Sequence, residues 1–274
     1  MFAHDVYAKF RIKPNIVLFS SVIASTLYKY MDKVMLGSIS SMIEVGFYEQ
    51  AEKVIALPLI FIVALGNVML PRISNLWSQS EDHKEVYRYL TISLLFSLII
   101  STPLCLGILA VSDEFIPFFY GYGYDEVRTL HYILLPSCIF LGIGNVLTTQ
   151  ILIPQKKDNV YVKSIFIGAV VNVVLNSILI GQLGSIGAAV GTLVAESAVC
   201  IFKIIYSGCA KKIGIVLLSG FPIIVIGILM MITVANVHIL DNNIDILIRV
   251  LIGGIVYAIM ILPIIRYYKN IIMI

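Results

Sequence analysis

The residues best suited to chemistry gather in two short runs near the start of the chain. Lys29, Asp32 and Lys33 are spaced i, i+3, i+4, so on a helix they share a face, with Tyr28 alongside. Glu49, Gln50, Glu52 and Lys53 form the second run. Both lie within or beside strongly apolar sequence. A charge at the centre of a bilayer costs about 3 kcal/mol even on lenient insertion scales, so such groups face a partner or water. Two roles follow. The charges could close an ion-pair network that pins a hairpin, or snorkel to the surface. Alternatively they border a hydrated lumen that receives a charged or hydroxyl-rich substrate. In that second role Lys29, Lys33 and Lys53 attract phosphate, and Tyr28 is a further substrate contact. Asp32, Glu49 and Glu52 then pair with the lysines or hold a coupling cation.

Other polar groups are scattered through later apolar sequence. Glu196 stands near the middle of one such run, for structural packing or ion coupling. Asn172 and Asn176 share a face at i, i+4, and Asn145 and Gln150 belong to an earlier run. Interhelical hydrogen bonding is the expected role of these amides, with sugar contact as the alternative. There is no phosphate-cradling glycine loop followed by Lys-Ser/Thr and no nucleophile elbow. His4, His83, His131 and His238 do not pair at metal-ligand spacing. Cys105, Cys138, Cys200 and Cys209 form neither a metal motif nor a disulfide framework and are read as packing residues. No catalytic residue, metal or cofactor is therefore expected, and the chain is not read as an enzyme. Its basic loops are too short for nucleic-acid recognition.

The elements that must position these groups are membrane helices. Of 274 residues, 59% are apolar and only 13% charged, with mean hydropathy +0.99. A soluble domain carries roughly 25% charged residues, so lipid is the expected solvent. A spanning helix needs about 20 apolar residues. Eight runs qualify, at 14–37, 50–70, 89–111, 128–152, 161–181, 185–205, 213–235 and 244–265. The fold expected is an all-α polytopic bundle. Its parts are an N-terminal segment (1–13), a six-helix lobe (14–205), and two additional helices with a tail (206–274). The basic start, with Lys9, Arg11 and Lys13, leads into a long apolar run rather than a cleavable signal peptide.

Loop charge alternates. Lys and Arg concentrate before the first span, between spans two and three (Arg72, Lys84, Arg88), and between four and five (Lys156, Lys157, Lys163). They recur between six and seven (Lys203, Lys211, Lys212) and after the eighth (Arg266, Lys269). The intervening connections carry Glu44 and Glu49, or Asp113, Glu114, Asp125 and Glu126, or Asp241 and Asp245. Arg128 and Arg249 are exceptions, each with a carboxylate within four residues. The positive-inside rule then places both termini in the cytoplasm. Pro71 is expected to end the second span, and Pro58, Pro103, Pro136, Pro222 and Pro263 to favour kinks. Gly187, Gly191 and Ala195 form a small-residue face for close helix packing. The aromatic run Phe118, Phe119, Tyr120, Tyr122 and Tyr124 suits an interfacial anchor better than a sugar-stacking platform.

Several stretches resemble one known family. They are TLYKYMDKVMLG at 26–37, EVGFYEQAEK at 44–53, VMLPRIS at 68–74, FFYGYGY at 118–124, QILIPQKKDNVYVKS at 150–164, GAVVNVVLN at 168–176 and GSIGAAVGTLVAE at 184–196. Individually loose, in this order they resemble the Wzx-type polysaccharide flippases of the MOP exporter superfamily. The resemblance implies two pseudo-symmetric six-helix lobes around a central cavity, with two extra C-terminal helices in many members. This chain would be the C-terminal part. It also implies movement of undecaprenyl-diphosphate-linked oligosaccharide units across a bacterial plasma membrane by alternating access. A missing N-terminal lobe and a polysaccharide polymerase are the partners it suggests. The resemblance places Lys29, Asp32, Lys33, Glu52 and Lys53 where family members carry lumen charges. Two other readings stay open: a MATE-like cation-coupled exporter, against which the lysines argue for cationic drugs, and a non-transporting assembly subunit of polysaccharide synthesis. A membrane-embedded transferase would need a larger outer loop.

Overall fold

The computed structural model describes residues 26, 30–79, 83–237 and 244–272, which are helices joined by short turns, with no strand among the described residues. Helix α1 covers 30–39. It is followed by α2 (Met42–Gln79), α3 (Lys84–Tyr120), α4 (Asp125–Leu134) and α5 (Ser137–Leu147). A π-helical turn, Thr148–Leu152, extends α5. Then come α6 (Asp158–Tyr206), α7 (Ala210–Ser219), α8 (Phe221–Asn236) and α9 (Ile244–Ile272). This is the expected all-α membrane bundle. Among the described residues, five helical segments are long and apolar enough to cross a membrane, with α7 and α8 counted as one, and α4 with α5 makes a sixth, bent span.

The 49 residues of α6 would extend ~74 Å if straight, far more than a hydrocarbon core of about 30 Å. The helix instead reverses at Gly184, whose φ of 56° and ψ of −131° are non-helical. A Cβ at Gly187 would lie 2.6 Å from the Leu179 carbonyl carbon, and one at Gly191 would lie 2.2 Å from Asn176 Oδ1. The two legs, which correspond to the fifth and sixth sequence spans, therefore touch through the small-residue face. The first span lies mostly outside the described residues.

Several boundaries differ from expectation. Helix α2 starts at Met42 rather than 50, and it passes through Pro71 instead of ending there. Tertiary packing carries the chain past the missing backbone hydrogen bond: Ile73 is fully buried, and the Arg72 guanidinium lies 4.5 Å from the centre of the Tyr89 ring. Helix α3 is longer than 89–111 and takes Phe118, Phe119 and Tyr120 into its last turn. The span expected at 128–152 bends by 41° where Leu135 and Pro136 separate α4 from α5. The span expected at 213–235 breaks at Gly220, and Pro222 starts α8, where an absent N–H costs nothing.

Helix α3 is the hub, touching α2, α4, α5, α7, α8 and α9. It presents small buried groups, Ser93, Ser97, Ser101 and Thr102, to its neighbours. Close approach follows: a Cβ on Gly142 of α5 would sit 2.5 Å from Ser97 Oγ, and one on Gly227 of α8 would sit 2.3 Å from Thr102 Cγ2. All four cysteines are buried and free. Two ends of the bundle are distinguished by their contacts. One end gathers the α1–α2 turn, the α3–α4 turn and Gly184. The other brings Trp77 to the Gln150 carbonyl, Lys157 to the Ser207 carbonyl and Lys212 over the Tyr87 ring.

A polar cluster beside a half-open cavity

Asp32 is the centre of the candidate site. It is 6% exposed, on α1 two turns before the α1–α2 turn. Its Oδ1 accepts hydrogen bonds from Asn172 Nδ2 and Asn176 Nδ2, each at 2.7 Å. Its Oδ2 accepts one from the Tyr48 hydroxyl at 3.0 Å and lies 2.9 Å from Thr192 Oγ1. The Tyr48 and Thr192 oxygens are 2.8 Å apart. One carboxylate thus binds together α1, α2 and both legs of α6. Both oxygens are satisfied by neutral groups, as buried polar atoms require.

The cluster opens onto a cavity of about 240 Å³ lined by Asp32, Tyr48, Glu52, Thr192 and Glu196, with Ile55 and Leu141 among its apolar walls. Lys33, the next residue along α1, points elsewhere and meets Glu52 of α2 at 2.8 Å. Glu49 and Lys53 lie 3.8 Å apart, one turn from each other on α2. Asp32 and Lys33 thus take different partners: Asp32 meets Tyr48 of α2 and both legs of α6, and Lys33 meets Glu52 of α2. Tyr28 and Lys29 lie outside the described residues. Asn172 and Asn176 do hydrogen-bond between elements, and Glu196 lines the same cavity as Asp32.

Tyr48, Thr192, Glu44, Glu126 and Ser185 were not singled out by residue type alone. Tyr48 and Thr192 each stand four residues before an acid of the candidate site, Glu52 and Glu196, so helical spacing could have found them. Nearer the end of the bundle, the Ser185 backbone N–H donates to Glu44 and the Ser185 hydroxyl donates to Glu126. Ser185 opens the second leg of α6, where a helix N-terminus favours negative charge. Helices α2, α4 and α6 are joined there, one layer beyond Asp32.

The fold is a membrane helix bundle with this polar cluster between α1, α2 and α6. A family model described as "Polysaccharide biosynthesis protein" matches residues 14–129. The "Probable low-salt glycan biosynthesis flippase Agl15" of Haloferax volcanii is 28% identical over 172 residues, covering 63% of this chain and 36% of that protein. The "Uncharacterized membrane protein MJ1068" of Methanocaldococcus jannaschii is 27% identical over 239 residues, covering 85% of this chain and 45% of the other. Among solved structures, "Lipid II flippase MurJ, inward closed conformation" superposes with a TM-score of 0.77 at 22% identity, over 92% of this chain and 53% of that one. The chain spans about half or less of the length of these proteins. The likeness to MurJ shows a shared fold.

Proposed function

We propose that this chain forms one wall of a path that moves lipid-linked oligosaccharides across a membrane, with the opposite wall supplied by a second lobe. The observation that carries this reading is the cavity bordered by Asp32, Glu52 and Glu196, with the Lys33–Glu52 pair at its side, on a helix pair of membrane character. Buried charge beside open space is costly unless water or a charged cargo enters. Two similar proteins, Agl15 and MurJ, are named as flippases of glycan biosynthesis and of lipid II, which favours a lipid-linked glycan as that cargo. Undecaprenyl diphosphate is the carrier we assign, moved by alternating access from a cytoplasmic side marked by the basic end of the bundle. Lys29, Lys33 and Lys53 attract the diphosphate. Asp32, Glu52 and Tyr28 are further cargo contacts. Glu49, Glu196, Asn172 and Asn176 serve coupling or hold the wall together. The activity is transport and requires no cofactor.

The test is a proteoliposome assay of lipid-linked oligosaccharide movement, using the chain assembled with its complementary lobe. Lys33→Glu is expected to lower the rate at least tenfold at normal membrane abundance. Undiminished transport by that variant would remove the basis for the lysine assignment. Aqueous thiol reagents should also reach cysteines placed at 29, 33 and 53 in at least one conformer.

A further inference from the structure

At the end of the bundle opposite Gly184, the two legs of α6 diverge. The cleft between them has a volume of about 510 Å³ and is lined by Asn159, Lys163, Phe166, Phe202 and Tyr206, with Val160 and Ile167. The Phe202 and Tyr206 rings pack together with centroids 4.3 Å apart, forming an aromatic wall. Lys163 is exposed and has no ion pair or hydrogen bond among the described residues. Three other lysines of the bundle are engaged, Lys33 with Glu52, Lys157 with the Ser207 carbonyl and Lys212 with the Tyr87 ring, whereas Lys156 and Lys211 are exposed like Lys163 but lie outside the cleft.

Below Lys163 runs an exposed apolar stripe, Phe166, Val170, Val174 and Ile178, at strict four-residue spacing on the first leg. From Phe166 to Ile178 it covers ~18 Å along the helix axis, close to the depth of one leaflet. A free cation, a neighbouring amide and aromatic side chains at membrane-interface level head a strip as long as an acyl chain. We propose that this cleft is a binding site for an anionic phospholipid. Its headgroup phosphate pairs with Lys163 and hydrogen-bonds Asn159, its glycerol region packs on Phe202 and Tyr206, and one chain follows the stripe. The site is separate from the Asp32 cavity and does not depend on the transport reading.

Native mass spectrometry of the purified chain can test the site. The probes are phosphatidylglycerol and phosphatidylcholine of identical acyl chains. Wild type is expected to retain phosphatidylglycerol several-fold better than phosphatidylcholine. Lys163→Ala should abolish that preference without reducing phosphatidylcholine retention, and Lys163→Arg should keep it. Lys211→Ala, a change at an exposed lysine outside the cleft, should also keep it. The proposal is overturned if wild type shows no preference, if Lys163→Ala leaves it intact, or if Lys211→Ala weakens it equally, which would indicate general surface charge. Displacement of phosphatidylglycerol by millimolar inorganic phosphate would likewise overturn the lipid assignment in favour of a soluble anion. Because Lys163 is exposed, circular dichroism of its variants should match wild type.

Discussion

Two buried charges in this molecule are handled in opposite ways. Arg249 of α9 is 1% exposed, and its guanidinium is fully engaged. Nη1 meets Glu114 at 2.6 Å, Nε donates to the Val234 carbonyl at 3.0 Å, and Nη2 donates to the Ala110 carbonyl at 3.0 Å. Asp245, one turn earlier, lies 3.9 Å away. Helices α3, α8 and α9 are thereby clamped by one side chain bonded to fixed backbone and an opposite charge. Asp32 is nearly as buried, yet its partners are two amides and two hydroxyls, all side chains that can rotate, and it borders a cavity. A charge fixed to backbone carbonyls is a rivet. A charge held by rotatable neutral groups beside open space can exchange its partners as the surrounding helices move.

The largest effect on stability is expected at the rivet. Removing one member of a buried ion pair costs about 3–5 kcal/mol. Arg249→Met should fall near the lower end, because the Glu114 side chain is 35% exposed and can turn to water. The expected result is a clear fall in the unfolding midpoint in detergent, with earlier proteolysis between α8 and α9. An unchanged midpoint would show that apolar packing of α8 on α3 holds this region unaided.

At the hub, stability and function should separate. Asp32→Ala leaves two Asn amides and two hydroxyls without their acceptor, a loss of about 1–3 kcal/mol. Asp32→Asn keeps an acceptor oxygen and should cost less, while removing the charge altogether. If Asp32 serves movement of cargo or a coupling ion, transport by Asp32→Asn drops at least tenfold although its unfolding midpoint stays close to that of wild type. Normal transport by this variant would reduce Asp32 to the same structural role as Arg249.

Gly191 gives a way to disturb the hub without altering any of its polar groups. A Cβ there would lie 2.2 Å from Asn176 Oδ1, so Gly191→Ala must displace the amide that bonds Asp32. Overpacking of this kind costs about 1–3 kcal/mol, and rotation of the Asn176 side chain should hold it near the low end. The measurement is the unfolding midpoint of Gly191→Ala compared with the double variant Gly191→Ala, Asn176→Ala. Recovery in the double variant would show that the strain is local to the amide. A lack of recovery would place it in the fit of the two α6 legs.

Much of this arrangement was legible before any coordinates. Apolar run length and alternating loop charge gave the bundle and most of its crossings, because bilayer thickness constrains a helix more tightly than side-chain detail does. The small-residue face at Gly187 and Gly191 was readable for a similar reason: only missing side chains permit such close legs. Helix ends were less readable. Pro71 looks like a terminator locally, but packing of Ile73 and Arg72 overrides it. Pairings were least readable. Nothing near Asp32 in sequence says that its partners lie about 140 residues away at Asn172 and Asn176. Helical spacing put Asp32 and Lys33 on one face but did not show that Asp32 would join Tyr48 and α6 while Lys33 paired with Glu52. Arg249 shows the same limit, since Asp245 was visible one turn away and the closer partner Glu114 was not.

The smallest effect on stability belongs to the Lys33–Glu52 pair, and it is the most informative about the cavity. With side-chain exposures of 20% and 34%, the pair is partly solvated. Pairs of this kind contribute about 0.2–1 kcal/mol. Lys33→Glu alone creates repulsion with Glu52, so any loss of transport could reflect a distorted hairpin. The double variant Lys33→Glu, Glu52→Lys restores an ion pair between α1 and α2 with the charges exchanged. A purely structural pair predicts that both the unfolding midpoint and transport recover together. A lysine that draws phosphate from its own position on α1 predicts recovery of the midpoint only, because the cation has moved to the other helix and an acid stands where the cargo charge must pass. Co-recovery of transport would thus assign the pair to the same architectural class as Arg249, leaving Asp32 as the charge in this region that separates function from stability.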